Sequence, residues 1–222
     1  MPLREIAGAA GRLEALLDEP AGERRIGADG LLERGHGGGV RAAVVVAHPH
    51  TEYGGTMHTK VVYQAAKAMS RIGCAVLRFN FRGAGASDGT FTDGPGETED
   101  FKAALEFMHD AYPSAPMWAA GMSFGAWIAL TVGAADSRVS TLVGIAPPVT
   151  RYDFDAVARS TKPKFFIQAE RDEICALKDM REFYARASEP KELVVIDGAD
   201  HLFDGKVGEV ADAIEDLLGD WS

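Results

Sequence analysis

From residue 41 onward, apolar residues fall into two alternating patterns. Short apolar runs mark strands: Ala42 to Ala47, continuous and rich in valine, and Ala75 to Phe79 read as strands buried on both faces, and Met117 to Gly121, Thr141 to Ala146, Lys164 to Ala169 and Glu192 to Ile196 read as further strands. Between them lie longer stretches with apolar residues at helical spacing: Lys60 to Ile72, Glu97 to Tyr112, Phe124 to Gly133, Leu177 to Ala187 and Val207 to Leu218. Gly73 closes the first and Pro113 follows the second, as helix-stop chemistry requires. Strands separated by helices need crossover connections, which predicts an α/β fold with a mostly parallel sheet covered by helices on both faces. Before residue 41 the pattern is weaker. Arg12 to Leu17 reads as a strand, and the glycine- and charge-rich stretch from Asp18 to Gly39 reads as a loop holding one irregular strand around Gly30 to Glu33.

Length fits this pattern in one domain, residues 1–222, with no repeat and no linker. The net charge of −10 repels phosphate backbones and anionic headgroups, so neither nucleic acid nor a membrane is expected as a partner. The two cysteines, Cys74 and Cys175, suggest no disulfide framework. The charged N-terminal stretch lacks the apolar core of a signal peptide, and no window approaches the roughly 20 apolar residues of a membrane span, so a cytoplasmic location is expected.

In open α/β sheets, chemistry gathers at the carboxyl ends of the strands. Strand Met117 to Gly121 runs into Gly121-Met122-Ser123-Phe124-Gly125, a G-x-S-x-G pattern followed at once by a helix. Such a turn lifts a serine hydroxyl above the sheet edge, and its flanks must be small because strand and helix nearly touch. A serine needs a base to take its proton. Of six histidines, His201 emerges just past the last strand. The base needs a carboxylate behind it. Asp172 is the choice from Glu170-Arg171-Asp172-Glu173, with Glu170 and Glu173 as alternatives. For an oxyanion, the N–H of Phe124 and one from the loop after the first buried strand are the candidates, His50 first and Thr51 second. Gly54 and Gly55 would let that loop fold close.

Rival readings attach to the same residues. His48-x-His50 after a strand can begin a metal site, but that leaves the serine turn unexplained. Gly83 to Gly89 resembles a phosphate loop only loosely and reads as a turn, with Arg82 and Asp88 as a clasp across it. Cys175 reads as a small apolar filler. Tyr53, Phe91, Met122, Trp127 and Phe203 are pocket or core candidates.

Several motifs together carry a family resemblance. They are His48-Pro49-His50, Tyr53-Gly54-Gly55-Thr56-Met57, Arg78-Phe79-Asn80-Phe81-Arg82-Gly83, Gly121-Met122-Ser123-Phe124-Gly125-Ala126 and Gly198-Ala199-Asp200-His201-Leu202-Phe203. The chain from about residue 10 resembles small lidless α/β-hydrolases, serine esterases related to dienelactone hydrolases and serine aminopeptidases. The resemblance implies an α/β-hydrolase fold without a cap domain, a Ser–Asp–His triad on Ser123, Asp172 and His201, and no cofactor. It leaves the substrate open. Two departures stand out: a long Asp18-to-Val40 insert, and serine where dienelactone hydrolases proper carry a cysteine nucleophile. The expected activity is hydrolysis of a small-molecule carboxylic ester. A peptidase or thioesterase using the same groups, and a non-catalytic binding protein of this fold, are the alternatives. Self-association into a homo-oligomer stays open.

Overall fold

A computed structural model describes residues 3–20, 24–26, 32–34 and 39–221. Its frame is an eight-stranded sheet in the order β1-β2-β6-β5-β7-β8-β9-β10. In chain order the elements are β1 (Leu3–Gly8), β2 (Gly11–Asp18), β3 (Arg24–Ile26), β4 (Leu32–Arg34), β5 (Ala43–Ala47), α1 (Lys60–Arg71), β6 (Ala75–Phe79), α2 (Pro95–Ala111), β7 (Met117–Met122), α3 (Phe124–Ala135), β8 (Val139–Ile145), α4 (Asp155–Arg159), β9 (Lys164–Ala169), α5 (Leu177–Arg186), β10 (Lys191–Ile196) and α6 (Val207–Gly219). The six strands from β5 onward pair in parallel. The β1–β2 hairpin joins antiparallel on β6. Among the described residues, no helix is long and apolar enough to cross a membrane.

Period-two alternation divides the strand side chains between two cores. Ala43, Val45 and Ala47 of β5 face one side with Leu77, Phe79, Phe101, Leu105, Leu130 and Phe166. Val44 and Val46 face the other with Val61, Met69, Val143, Ile167, Val210 and Ile214. Thus α2 and α3 cover one face while α1 and α6 cover the other, and every residue of β5, β6, β7 and β9 is buried. Two-sided burial is why these strands read as mainly apolar runs rather than as alternating ones.

Three features differ from the sequence reading. Strand β1 pairs with β2 although its exposed Arg4 and Glu5 blur the alternation. The insert contains two short strands, β3 and β4, paired antiparallel, rather than one; Gly30 and Leu31 of the expected strand lie outside the described residues. Helix α2 starts at Pro95, two residues earlier than its apolar period, because Pro95 and the buried Glu97 set its first turn. The Glu97 carboxylate accepts from Gly94 N–H at 2.7 Å, Thr92 N–H at 3.0 Å and Thr92 Oγ1 at 2.9 Å.

The Gly83-to-Gly89 segment is indeed a turn, but the Arg82–Asp88 clasp is not formed. Arg82 instead holds the buried Asp100 with Nε at 3.0 Å and Nη2 at 2.7 Å. Asp88 accepts from Arg12 N–H at 2.8 Å and ties the turn to the β1–β2 hairpin. A bidentate guanidinium–carboxylate pair at a buried partner outcompetes a clasp between two solvated loop positions.

Candidate active site

The turn between β7 and α3 holds Ser123 at φ 54°, ψ −123°, a backbone region that non-glycine residues rarely occupy. Three packing constraints impose it. The Ser123 N–H donates to Ile145 O at 2.9 Å, which pins the turn to the end of β8. A Cβ on Gly121 would lie 2.3 Å from Gly125 O, and one on Gly125 would lie 2.3 Å from His48 O and 2.6 Å from Ala47 O. The start of α3 is therefore pressed against both its own strand and the end of β5, and only glycine fits at either position. Gly125→Ala should destabilise the fold by about 3 kcal/mol, because the obstructing atoms are backbone and cannot rotate away; urea unfolding measures it, and an unchanged midpoint would contradict this packing.

The loops after β9 and β10 bring the other two groups over the serine. His201 Nε2 lies 2.9 Å from Ser123 Oγ, and His201 Nδ1 lies 2.8 Å from Asp172 Oδ2 and 3.0 Å from Oδ1. All three residues are nearly buried. The carboxylate is fixed from behind: Oδ1 accepts from Ile174 N–H at 2.8 Å and Cys175 N–H at 2.9 Å, and Oδ2 accepts from Gln168 Nε2 at 3.0 Å. These hydrogen bonds hold the carboxylate in one orientation. Glu170 and Glu173 do not reach the imidazole. Instead they brace the loops: Glu170 accepts from Gly198 N–H at 2.7 Å and Glu173 from His201 N–H at 3.3 Å. Arg171 N–H to Ala199 O, at 2.8 Å, adds a third tie.

The loop after β5 borders the same turn. The His50 ring packs on the Phe124 ring at 5.1 Å, and the His50 carbonyl accepts from Tyr53 N–H and Gly55 N–H. A Cβ on Gly55 would sit 2.2 Å from Pro49 O, so the tight loop requires glycine there. Phe124 stands at the first position of α3, where helical N–H groups have no intrahelical acceptor. The structure thus brings the His50 ring against Phe124, the residue that follows Ser123 in the chain.

His48 has a different task from the metal ligand weighed above. Its Nδ1 donates to Pro49 O at 2.6 Å and its Nε2 accepts from Phe81 N–H at 3.0 Å, so both ring nitrogens are committed to backbone. That pairing demands the neutral ring, and burial pushes its pKa down to about 4. Below the ordinary value of 6.5 the unfolded chain takes up a proton that the folded chain refuses, so stability falls as pH drops from 6.5 towards 4. The loss should reach about 3 kcal/mol. Urea midpoints of wild type and His48→Gln between these pH values test this: only the wild type carries the component, and parallel curves would contradict it.

Phe124 also anchors an aromatic cluster. Phe91 lies 5.4 Å away, Trp127 5.6 Å and Tyr152 5.9 Å, with Trp127 and Tyr152 stacked at 4.1 Å. Of the aromatic and apolar candidates, Met122 and Phe203 belong to the core on the α1/α6 side. Phe91 and Trp127 flank the serine turn, and Tyr53 is 77% exposed beside it. Ile174 and Leu202, neighbours of Asp172 and His201, are also exposed. Residues 146–163, between β8 and β9, carry only the five-residue α4, so no cap covers this mouth from that connection. Sequence reasoning missed Tyr152, which a short irregular segment carries, and Gln168. The signal for Gln168 was a polar residue inside an otherwise apolar buried strand.

Residues 38–153 match the family described as serine aminopeptidase, S33. An uncharacterized protein of Rickettsia prowazekii, RP471, is 39% identical over 183 residues, covering 78% of this chain and 77% of that protein. A solved α/β serine hydrolase homologue from Coxiella burnetii is 33% identical, with a TM-score of 0.86 over 98% of this chain and 97% of its own. An α/β serine hydrolase without lid from Xanthomonas campestris is 30% identical, with a TM-score of 0.87 over 99% of this chain and 94% of its own.

Proposed function

The chain belongs to the family described as serine aminopeptidase, S33, and has the α/β serine hydrolase fold, and on that premise we propose that it hydrolyses small carboxylic esters through an acyl-enzyme on Ser123. The observation that carries this reading is the contact of 2.9 Å between Ser123 Oγ and His201 Nε2, with Asp172 Oδ2 2.8 Å behind the ring.

The steps follow from the proton positions. Asp172 holds the proton of His201 on Nδ1, which leaves Nε2 as the basic nitrogen facing the hydroxyl. Nε2 takes the Ser123 proton as Oγ adds to the ester carbon. The carbonyl oxygen gains charge beside the N–H groups of Phe124 and His50, at the positive end of α3. The imidazolium returns the proton to the departing alkoxide, and the alcohol leaves. Water then enters, gives a proton to Nε2 and attacks the acyl carbon, and collapse frees the acid and restores Ser123. Every group needed lies on the chain itself. The open mouth and the aromatic cluster beside Phe124 suit a compact acyl group with an apolar surface.

The matched family description favours one second reading, cleavage of an amide by the same groups. A fluorophosphonate probe tests the shared step: it should label wild type on Ser123 and leave Ser123→Ala untouched. Paired kinetics on p-nitrophenyl esters and amino-acyl anilides then separate the two. Turnover of anilides at rates equal to or above the esters would replace the esterase reading.

A further inference from the structure

Gln168 sits in β9 and is fully buried, within a strand otherwise filled by apolar side chains and the stem of Lys164. Its Nε2 donates to Asp172 Oδ2 at 3.0 Å and to the Cys175 carbonyl at 2.9 Å. Both neighbours are acceptors only, so the amide has one workable orientation; turning it would aim Oε1 at two oxygens. In the orientation held, Oε1 is buried without a partner among the described residues. An acceptor left unpaired in the interior costs stability, and a leucine or methionine here would avoid that cost. The position therefore keeps a polar group for what its NH₂ does.

What it does is specific. Asp172 Oδ1 already has two backbone donors, Ile174 and Cys175. Oδ2, the oxygen nearest His201 Nδ1, has Gln168 as its other donor among the described residues. The second Gln168 bond, to the Cys175 carbonyl, fixes the residue whose N–H holds Oδ1. One amide thus ties both edges of the carboxylate to the rigid sheet. We infer that Gln168 is a positioning residue: it holds Asp172 so that Oδ2 meets His201 Nδ1, acting on the reaction only through that carboxylate. The inference rests on the roles proposed for Ser123, Asp172 and His201.

Two variants of similar volume test it. Gln168→Met removes the donor and should lower kcat on p-nitrophenyl butyrate about ten- to a hundredfold, with KM within about twofold, because a mis-set base affects the transition state and not ground-state binding. Gln168→Glu supplies an O–H donor when protonated and a repelling carboxylate when ionised. The ratio of its kcat/KM to that of Gln168→Met should therefore rise as pH falls from about 8.5 to about 5.5. A purely structural role gives no such pH-dependent ratio.

A third measurement needs no substitution at this site. The chain has two glutamines, Gln64 and Gln168, so glutamine-selective nitrogen labelling yields two side-chain NH₂ pairs, assigned with Gln64→Glu. The Gln168 pair should exchange slowly with solvent and shift when Ser123 is phosphonylated. A flat Glu-to-Met ratio, wild-type kcat in Gln168→Met, or an NH₂ pair exchanging as fast as that of Gln64 would each overturn the inference. If Ser123→Ala is inactive while the Gln168 variants match wild type, this inference alone fails; if Ser123→Ala keeps full activity, the serine reading itself fails.

Discussion

Replacing Ser123 by alanine is expected to lower kcat for p-nitrophenyl butyrate by roughly 10⁵- to 10⁶-fold, with little effect on unfolding. The side chain's hydrogen-bond partner is His201 Nε2 at 2.9 Å, so its removal strips the reaction of its nucleophile and the fold of one neighbour. The backbone at φ 54° is held by the Ile145 carbonyl and the glycine contacts, none of which involves Oγ. Thermal unfolding should accordingly stay close to wild type. Activity within about tenfold of wild type would remove Ser123 from the mechanism. Adding His201→Ala to Ser123→Ala should cost little more, because the two act as one unit.

The second large effect is expected for Asp172→Asn, a loss of about 10⁴ in kcat. The surroundings dictate which way the new amide turns. Ile174 and Cys175 present two N–H donors to Oδ1, so the asparagine oxygen occupies that position. Its NH₂ then takes the place of Oδ2 and points a donor at His201 Nδ1. The ring must answer as an acceptor on Nδ1, which moves its proton to Nε2 and leaves no base facing Ser123. Steady-state kinetics measure the loss, and nitrogen NMR of the imidazole reports the tautomer. Wild-type kcat in Asp172→Asn would exclude this carboxylate from the mechanism.

How far the chain could be read without coordinates depended on the range of each interaction. Strands β5 and β7 were plain because burial on both faces leaves a continuous apolar run, and β6 and β9 because buried Arg78 in the one, and Lys164 and Gln168 in the other, interrupt theirs only briefly. Ser123 was legible because its glycines, strand and helix are consecutive. His201 was legible as a histidine just past a strand end. The choice among Glu170, Asp172 and Glu173 was not decidable from order alone; it depends on which of the three side chains meets the Ile174 and Cys175 N–H groups, a matter of local turn geometry. Partners distant in sequence were hidden altogether. Arg82 finds Asp100, and Asp88 finds the Arg12 N–H 76 positions away. The β1 strand draws its stability from pairing with β2 rather than from its own pattern. Helix α4, at five residues, is shorter than any periodicity can reveal.

The bare connection between β8 and β9 has a kinetic meaning. On the proposed reading, with no flap on that connection to swing aside, a lipid–water boundary has nothing there to trigger: the velocity should climb smoothly with dissolved ester and show no jump as the substrate begins to form droplets. Shedding of solvent around the reacting carbonyl then falls to the ester itself and to the aromatic rings packed on Phe124.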